Sequence, residues 1–212
     1  MHDGLAWIAD AYPEGFTLIL GHGVTPLDLL TGLARTPEPV ILPLTCGESE
    51  DIQRYVAFPE GSSLDHLDEE ALEKAGFLRE GVDCITRAGA ASGGWSFALQ
   101  DSTIYSSQTD LTAPLSHVPR LAIYSVDVTA SALIVYAENG RVLSAFDPIF
   151  PRNNHGADSA RLPGPRGGGT GRKEMLDYLS SVLEVGIPPA MDWEPLPAIA
   201  LSSTDTYEQE ES

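Results

Sequence analysis

Between residues 94 and 147 the chain repeats one theme. The segments "GWSFALQ", "TIYSS", "LAIYSVDV", "SALIVYAE" and "RVLSAFD" are short, aromatic and β-branched, with polar or Gly-containing breaks between them. Runs of this kind have the aromatic and β-branched content of successive strands. Asn139-Gly140 sharpens the expectation, because that pair is preferred in a two-residue type I′ turn. A regular ladder from that turn sets Glu138 against Arg141, Ala137 against Val142, Val135 against Ser144 and Leu133 against Phe146. Ile134, Tyr136, Leu143 and Ala145 then face the other way. Both faces are apolar, so these are central strands covered on both sides.

Helices frame the strand region. Leu5, Ile8 and Ala9 fall at helical spacing beside Trp7 before Pro13 and Gly15 break the pattern, and "FTLILG" follows as a strand. In "GVTPLDLLTGLAR", Thr25 is a natural N-cap with Pro26 at the first helical position, and Leu27, Leu29, Leu30 and Leu33 supply the apolar face. "PVILPL" reads as a strand that Pro43 confines to an edge. In "SSLDHLDEEALEKAGF", Ser63 or Asp65 is the expected cap, Leu64, Leu67, Ala71 and Leu72 the apolar face, and Gly76 the stop. A last helix, "RKEMLDYLSSVLEVG", carries Met175, Leu176, Leu179, Val182 and Leu183, with Gly186 and Pro188 ending it.

The expected fold is therefore α+β: one domain over residues 1–190, with a mainly antiparallel sheet of about five or six strands and flanking helices. "AGAASGG" at 88–94 reads as a flexible joint, and the Gly-rich stretch 163–171 as a loop. Residues 192–212 carry six acids and no base, so 191–212 is expected to be an acidic, disordered tail.

Charge narrows the function. With 31 acidic against 12 basic side chains, the formal charge is -19, which repels phosphate backbones and anionic membranes. No nucleic-acid or membrane partner is expected; such acidity either keeps a protein soluble or suits it to a basic protein partner, and composition alone does not separate the two. The opening "MHDGLAWIADAY" lacks a basic segment followed by an apolar core, and no run approaches the roughly 18 apolar residues of a membrane span. A cytoplasmic protein with Cys46 and Cys84 both reduced fits best.

The passages "GFTLILGHGVTP", "GGWSFALQ" and "AENGRVLSAFDPIFPRNNHGADSARL", with the late helix after them, resemble domain of unknown function 6461, a family of small actinobacterial proteins. The resemblance spans most of residues 5–185. It implies a fold and no activity or catalytic residues; the "GPRGGGTG" insertion and the acidic tail depart from it.

No catalytic, metal or cofactor set emerges. "GPRGGGTGRKE" places Gly-rich backbone, Arg166, Arg172 and Lys173 before a helix, but Lys173 is followed by Glu174 and no strand precedes, so it is not a P-loop. His66 with Asp68, Glu69 and Glu70 lacks metal-ligand spacing and reads as an exposed acidic face. His155, with Asp158, follows a central strand, a usual place for a functional polar group or for a ring bonded to backbone. "GWSFA" lacks the second Gly of a nucleophile elbow, so Ser96 is an alternating strand residue. Cys46 in "LTCGES" reads as a loop thiol, reactive if His22 or His117 reaches it, and Cys84 as packed.

Two functions remain. The first is a non-enzymatic interaction protein, of the immunity, antitoxin or adaptor kind, that offers an acidic surface to a basic partner. In it, Phe150 beside Ile149 is either a docking anchor or an aromatic turned inward onto the last helix. The second is a small anionic-ligand or enzymatic site at the 147–173 loop. There Phe150, Arg152, His155, Asp158, Arg161, Arg166, Arg172 and Lys173 are the candidate residues. Residues 141–173 hold six of the twelve bases against two acids.

Overall fold

The computed structural model describes residues 4–34, 38–101, 112–129, 131–149, 154–165 and 171–202. Within them lies one eight-stranded sheet in which every neighbouring pair is antiparallel. Its strands are β1 (Phe16–His22), β2 (Leu42–Leu44), β3 (Cys84–Ala90), β4 (Trp95–Gln100), β5 (Arg120–Val126), β6 (Ala132–Glu138), β7 (Arg141–Phe146) and β8 (Leu196–Leu201). Across the sheet their order is β2-β8-β3-β4-β1-β5-β6-β7. The fold is α+β, as expected, with more strands than the five or six that the sequence suggested.

Alternation sorts the side chains onto two faces. On one face Phe16, Leu18, Leu20, Phe97, Leu99, Tyr124 and Phe146 meet α1 (Trp7–Ala11) and α5 (Arg172–Leu183) through Ile8, Met175, Leu176 and Leu179. The β2-β8-β3 end of the same face carries a smaller core of Leu44, Ile52, Leu64, Leu72, Phe77, Ile85 and Ala198 beneath α3 (Cys46–Ala57) and α4 (Glu69–Lys74). On the opposite face, α2 (Pro26–Leu33) covers Ile19, Ala98 and Ile199 with Leu29, Leu30 and Leu33. Leu27 is 49% exposed, because the second helical position points it away from that face.

The caps explain where the helices begin. Thr25 and Asp28 form a reciprocal capping box with Pro26 at the first position, and Thr45 and Glu48 form a second one. Cys46 consequently opens α3 instead of lying in a loop. For α4 the cap is Asp68, whose carboxylate accepts from the Ala71 N–H, so the helix starts later than Ser63 or Asp65 would set it. Leu64 and Leu67 precede α4 and still pack beneath it.

Three further expectations change. The stretch 88–94 is no joint: Ala88–Ala90 end β3, and Ser92–Gly94 form a tight turn into β4. Its small residues are there for packing. A Cβ on Gly89 would stand 2.7 Å from the Phe97 ring, and one on Gly93, at φ +70, would stand 2.8 Å from the Glu184 carbonyl. The acidic tail does not begin at 191, because Leu196–Leu201 pair on both sides within the sheet, while residues 203–212 lie outside the described residues. Average acidity hid a strand of six residues.

The third change is the hairpin register. Glu138 opposes Arg141 and Ala137 opposes Val142, but a bulge then sets Tyr136 against Ser144, Val135 against Ala145 and Ile134 against Phe146. Leu143 is the extra residue, and Ala145 moves to the α2 face. The outer edge of β7 is covered in turn, since the backbones of Ala145 and His155 exchange hydrogen bonds of 2.7 and 2.9 Å. "TIYSS" lies outside the described residues, so that expected strand has no counterpart among those described.

Candidate functional site

The bases of the 147–173 stretch separate in space. Arg161 pairs with Glu138 at 3.0 Å, at the end of the sheet where β5 begins and β6 finishes. Arg172 donates to the carbonyls of Pro13 and Asp127, the latter just past the other end of β5. Lys173 pairs with Asp10 of α1 at 3.4 Å. His155 spends its backbone on the β7 edge, and the Asp158 N–H donates to the Leu143 carbonyl at 2.9 Å. Phe150, Arg152 and Arg166 lie outside the described residues. No group of three metal-ligating side chains occurs among the described residues.

Arg161 leads to a constellation with no local sequence signal. The ladders align Trp95, His22, Arg120, Glu138 and Arg141 as one row across β4, β1, β5, β6 and β7. In-register partners share a face, so the whole row lies on the side that carries α1 and α5. Trp95 is buried and its indole N–H donates to the Leu183 carbonyl at 3.1 Å. His22 meets the Trp95 ring edge-on at 5.1 Å, and the Arg120 guanidinium lies 5.4 Å from the centre of that ring. Glu138 accepts from the Tyr136 hydroxyl at 2.9 Å and from Arg161. Those hydrogen bonds hold its carboxyl below the usual range, and burial beside Arg120 lowers the His22 pKa.

A second constellation fills the seam between the two cores of that face. Arg87 is 4% exposed; it donates to Asp192 Oδ1 at 3.0 Å, to the Asp192 carbonyl at 3.2 Å and to the Tyr12 hydroxyl at 2.7 Å. Tyr12 donates to the same Asp192 oxygen at 2.6 Å, and Cys46 Sγ lies 3.5 Å from the phenol. Burial pushes the Tyr12 phenol far above its ordinary value and raises the Cys46 thiol too. A thiol held protonated is a poor nucleophile. His22 and His117 do not join it: the first stands on Trp95 and the second against Gly32. The clefts on either side of Arg87 have room for no more than about one water molecule. This cluster fastens the turn before β8 to β3 and α1. Ser96 likewise serves structure, donating to the Val24 carbonyl at 2.7 Å.

Fold and polar clusters together define an α+β protein with one antiparallel sheet, a structural ion pair inside and an arginine-bearing row at one end. The chain belongs to a family of unknown function, DUF6461, whose model matches residues 2–164. The match stops short of α5, which the sequence resemblance had included. No curated protein and no solved structure matches the chain. Among the described residues no helix is long and apolar enough to cross a membrane.

Proposed function

We propose that the chain is a non-enzymatic interaction protein, cytoplasmic and of the immunity, antitoxin or adaptor kind, that presents the α3–α4 surface to a basic protein partner. The observation that supports this reading is the placement of the acids. Residues 46–80 hold ten acids and three bases, and Glu60, Asp65, Asp68, Glu69, Glu70, Glu73 and Glu80 are all exposed. Only Asp51 among the ten is in an ion pair between described residues, with Arg54, and its other carboxylate oxygen lies 3.4 Å from the His66 ring. Leu64, Leu72 and Phe77 beneath hold the surface in shape, so like charges stay close together without neutralisation. Such a surface speeds encounter with a basic partner and repels acidic ones.

The alternative, an anion site in the 147–173 loop, has less support, because Arg161, Arg172 and Lys173 each hold an acceptor of the chain itself. The test is capture from the source cells with the full chain and with a Glu69→Gln, Glu70→Gln, Glu73→Gln variant, washed at low and high salt and identified by mass spectrometry. A basic protein should be retained at low salt, released at high salt and lost with the variant. Retention indifferent to both would remove the electrostatic reading.

A further inference from the structure

The row at the sheet end is locally positive on a molecule of formal charge -19: Arg120, Arg141 and Arg161 stand there against Glu138. Glu138 is already engaged by Tyr136 and Arg161. Arg120 is exposed and, among the described residues, has no carboxylate within ion-pair distance; what holds it is the face of Trp95. That ring is itself fixed, buried at 3% exposure and bonded to the Leu183 carbonyl. The guanidinium is thus oriented by an apolar surface while its N–H fork stays open. An arginine in this state has its ordering cost already met, and its planar fork matches two oxygens of a carboxylate or phosphate. His22 stands beside it on the same ring and is half-buried.

We propose that Arg120 and His22 bind a small oxyanion, a phosphate or carboxylate group, with Trp95 as the platform that orients the arginine. Arg120 supplies the forked hydrogen bonds and the charge. The His22 ring already bonds the Gly93 backbone, and its other nitrogen supplies a second donor once protonated, a change that a bound anion promotes by offsetting Arg120. Arg141 lies on the far side of Glu138 and contributes only to the surrounding field. The Arg120–His22 site does not depend on the acidic-surface reading and survives its failure.

The experiment follows the His22 ring by NMR in the full chain, its signals assigned with a His22→Asn variant. Inorganic phosphate, acetate and, as the control, sodium chloride at equal ionic strength are titrated in. Phosphate or acetate should move the His22 titration upward and saturate, and chloride should not. A response to phosphate alone identifies a phosphate site, and a response to both a general oxyanion site. Arg120→Gln should weaken the apparent affinity by about tenfold or more, the loss of a charge-assisted pair of hydrogen bonds. Arg120→Lys, which keeps charge without the fork, should fall between, and Arg141→Gln should bind as the parent does. The proposal is overturned if neither anion acts beyond chloride, if Arg120→Gln responds like the parent, or if Arg141→Gln loses as much as Arg120→Gln.

Discussion

Arg87, on β3, and Arg120, on β5, project from the same face of one sheet into different surroundings. Arg87 lies under α1 and the turn before β8, where water is excluded, and every group around it has been matched to it: a carboxylate, a carbonyl and a phenol. Arg120 is exposed at the end of the sheet, where it has the face of Trp95, Glu138 on the neighbouring strand and, among the described residues, no carboxylate within ion-pair distance. Burial decides the role in each case. A guanidinium out of water must be fully partnered or the fold fails, whereas one at the rim needs only to be held still, and its donors remain available.

The largest effect expected from this contrast is on stability at the buried site. Asp192→Ala strands the Arg87 charge and should cost about 3–5 kcal/mol in urea unfolding, the range for breaking one partner of a buried pair. Replacing both, as Arg87→Met with Asp192→Leu, should recover most of that loss, because it removes the desolvated charges along with their attraction. A single-variant cost below about 1 kcal/mol, the level of an exposed pair, would erase the distinction between the two arginines.

Next in size is Tyr12→Phe, which removes the hydroxyl shared by Arg87 and Asp192 and should cost about 1–3 kcal/mol. It also carries a pH signature. The folded phenol is raised by burial, so its contribution is intact below the unfolded value of about 10 and declines as pH rises beyond it. Tyr124 and Tyr136, both pushed up to about 12 by burial, act in the same direction. Alkaline unfolding followed by circular dichroism should therefore be less steep in Tyr12→Phe than in the parent.

The ease of reading the sequence followed the range of the interaction. Thr25-Pro26 marked α2 and Asn139-Gly140 marked the β6–β7 turn, since cap and turn chemistry acts over two to four residues. The bulge beyond that turn was not readable, because Leu143 could sit on either face of an apolar hairpin. β8 was hidden by the acids around it, although Asp192 is acidic in order to meet Arg87. The buried cluster joins residues 75, 105 and 180 positions apart, and nothing local announces such a meeting. At the sheet end, Arg161 was singled out for its charge. Its neighbours Arg120, Glu138 and Trp95 became a group only when the order of strands brought them level.

A smaller stability effect sharpens the comparison from the exposed side. Glu138→Gln loses the ionic half of the Arg161 contact and should cost at most about 1 kcal/mol, as screened surface pairs do. The Glu138 carboxyl is held below its ordinary value by Tyr136 and Arg161, so its contribution is present above the unfolded pKa and disappears as pH falls through the folded one. Parent and variant should then converge in stability in acid and differ only above it.

The smallest stability effect belongs to Arg120→Gln, expected within about 0.5 kcal/mol of the parent because the side chain is exposed and packs on one ring. Its informative readout is His22. Burial and then Arg120 hold the imidazole below its ordinary pKa, so removing the guanidinium must raise the titration toward that value without reaching it. The sign also shows in stability: unfolded His22 takes a proton at higher pH than folded His22, so below about pH 6.5 the unfolded chain gains relative to the folded one. Arg120→Gln should reduce that acid loss. An unchanged His22 titration would mean that Arg120 spends its time away from Trp95, and the oriented guanidinium that separates this arginine from any other exposed one would be gone.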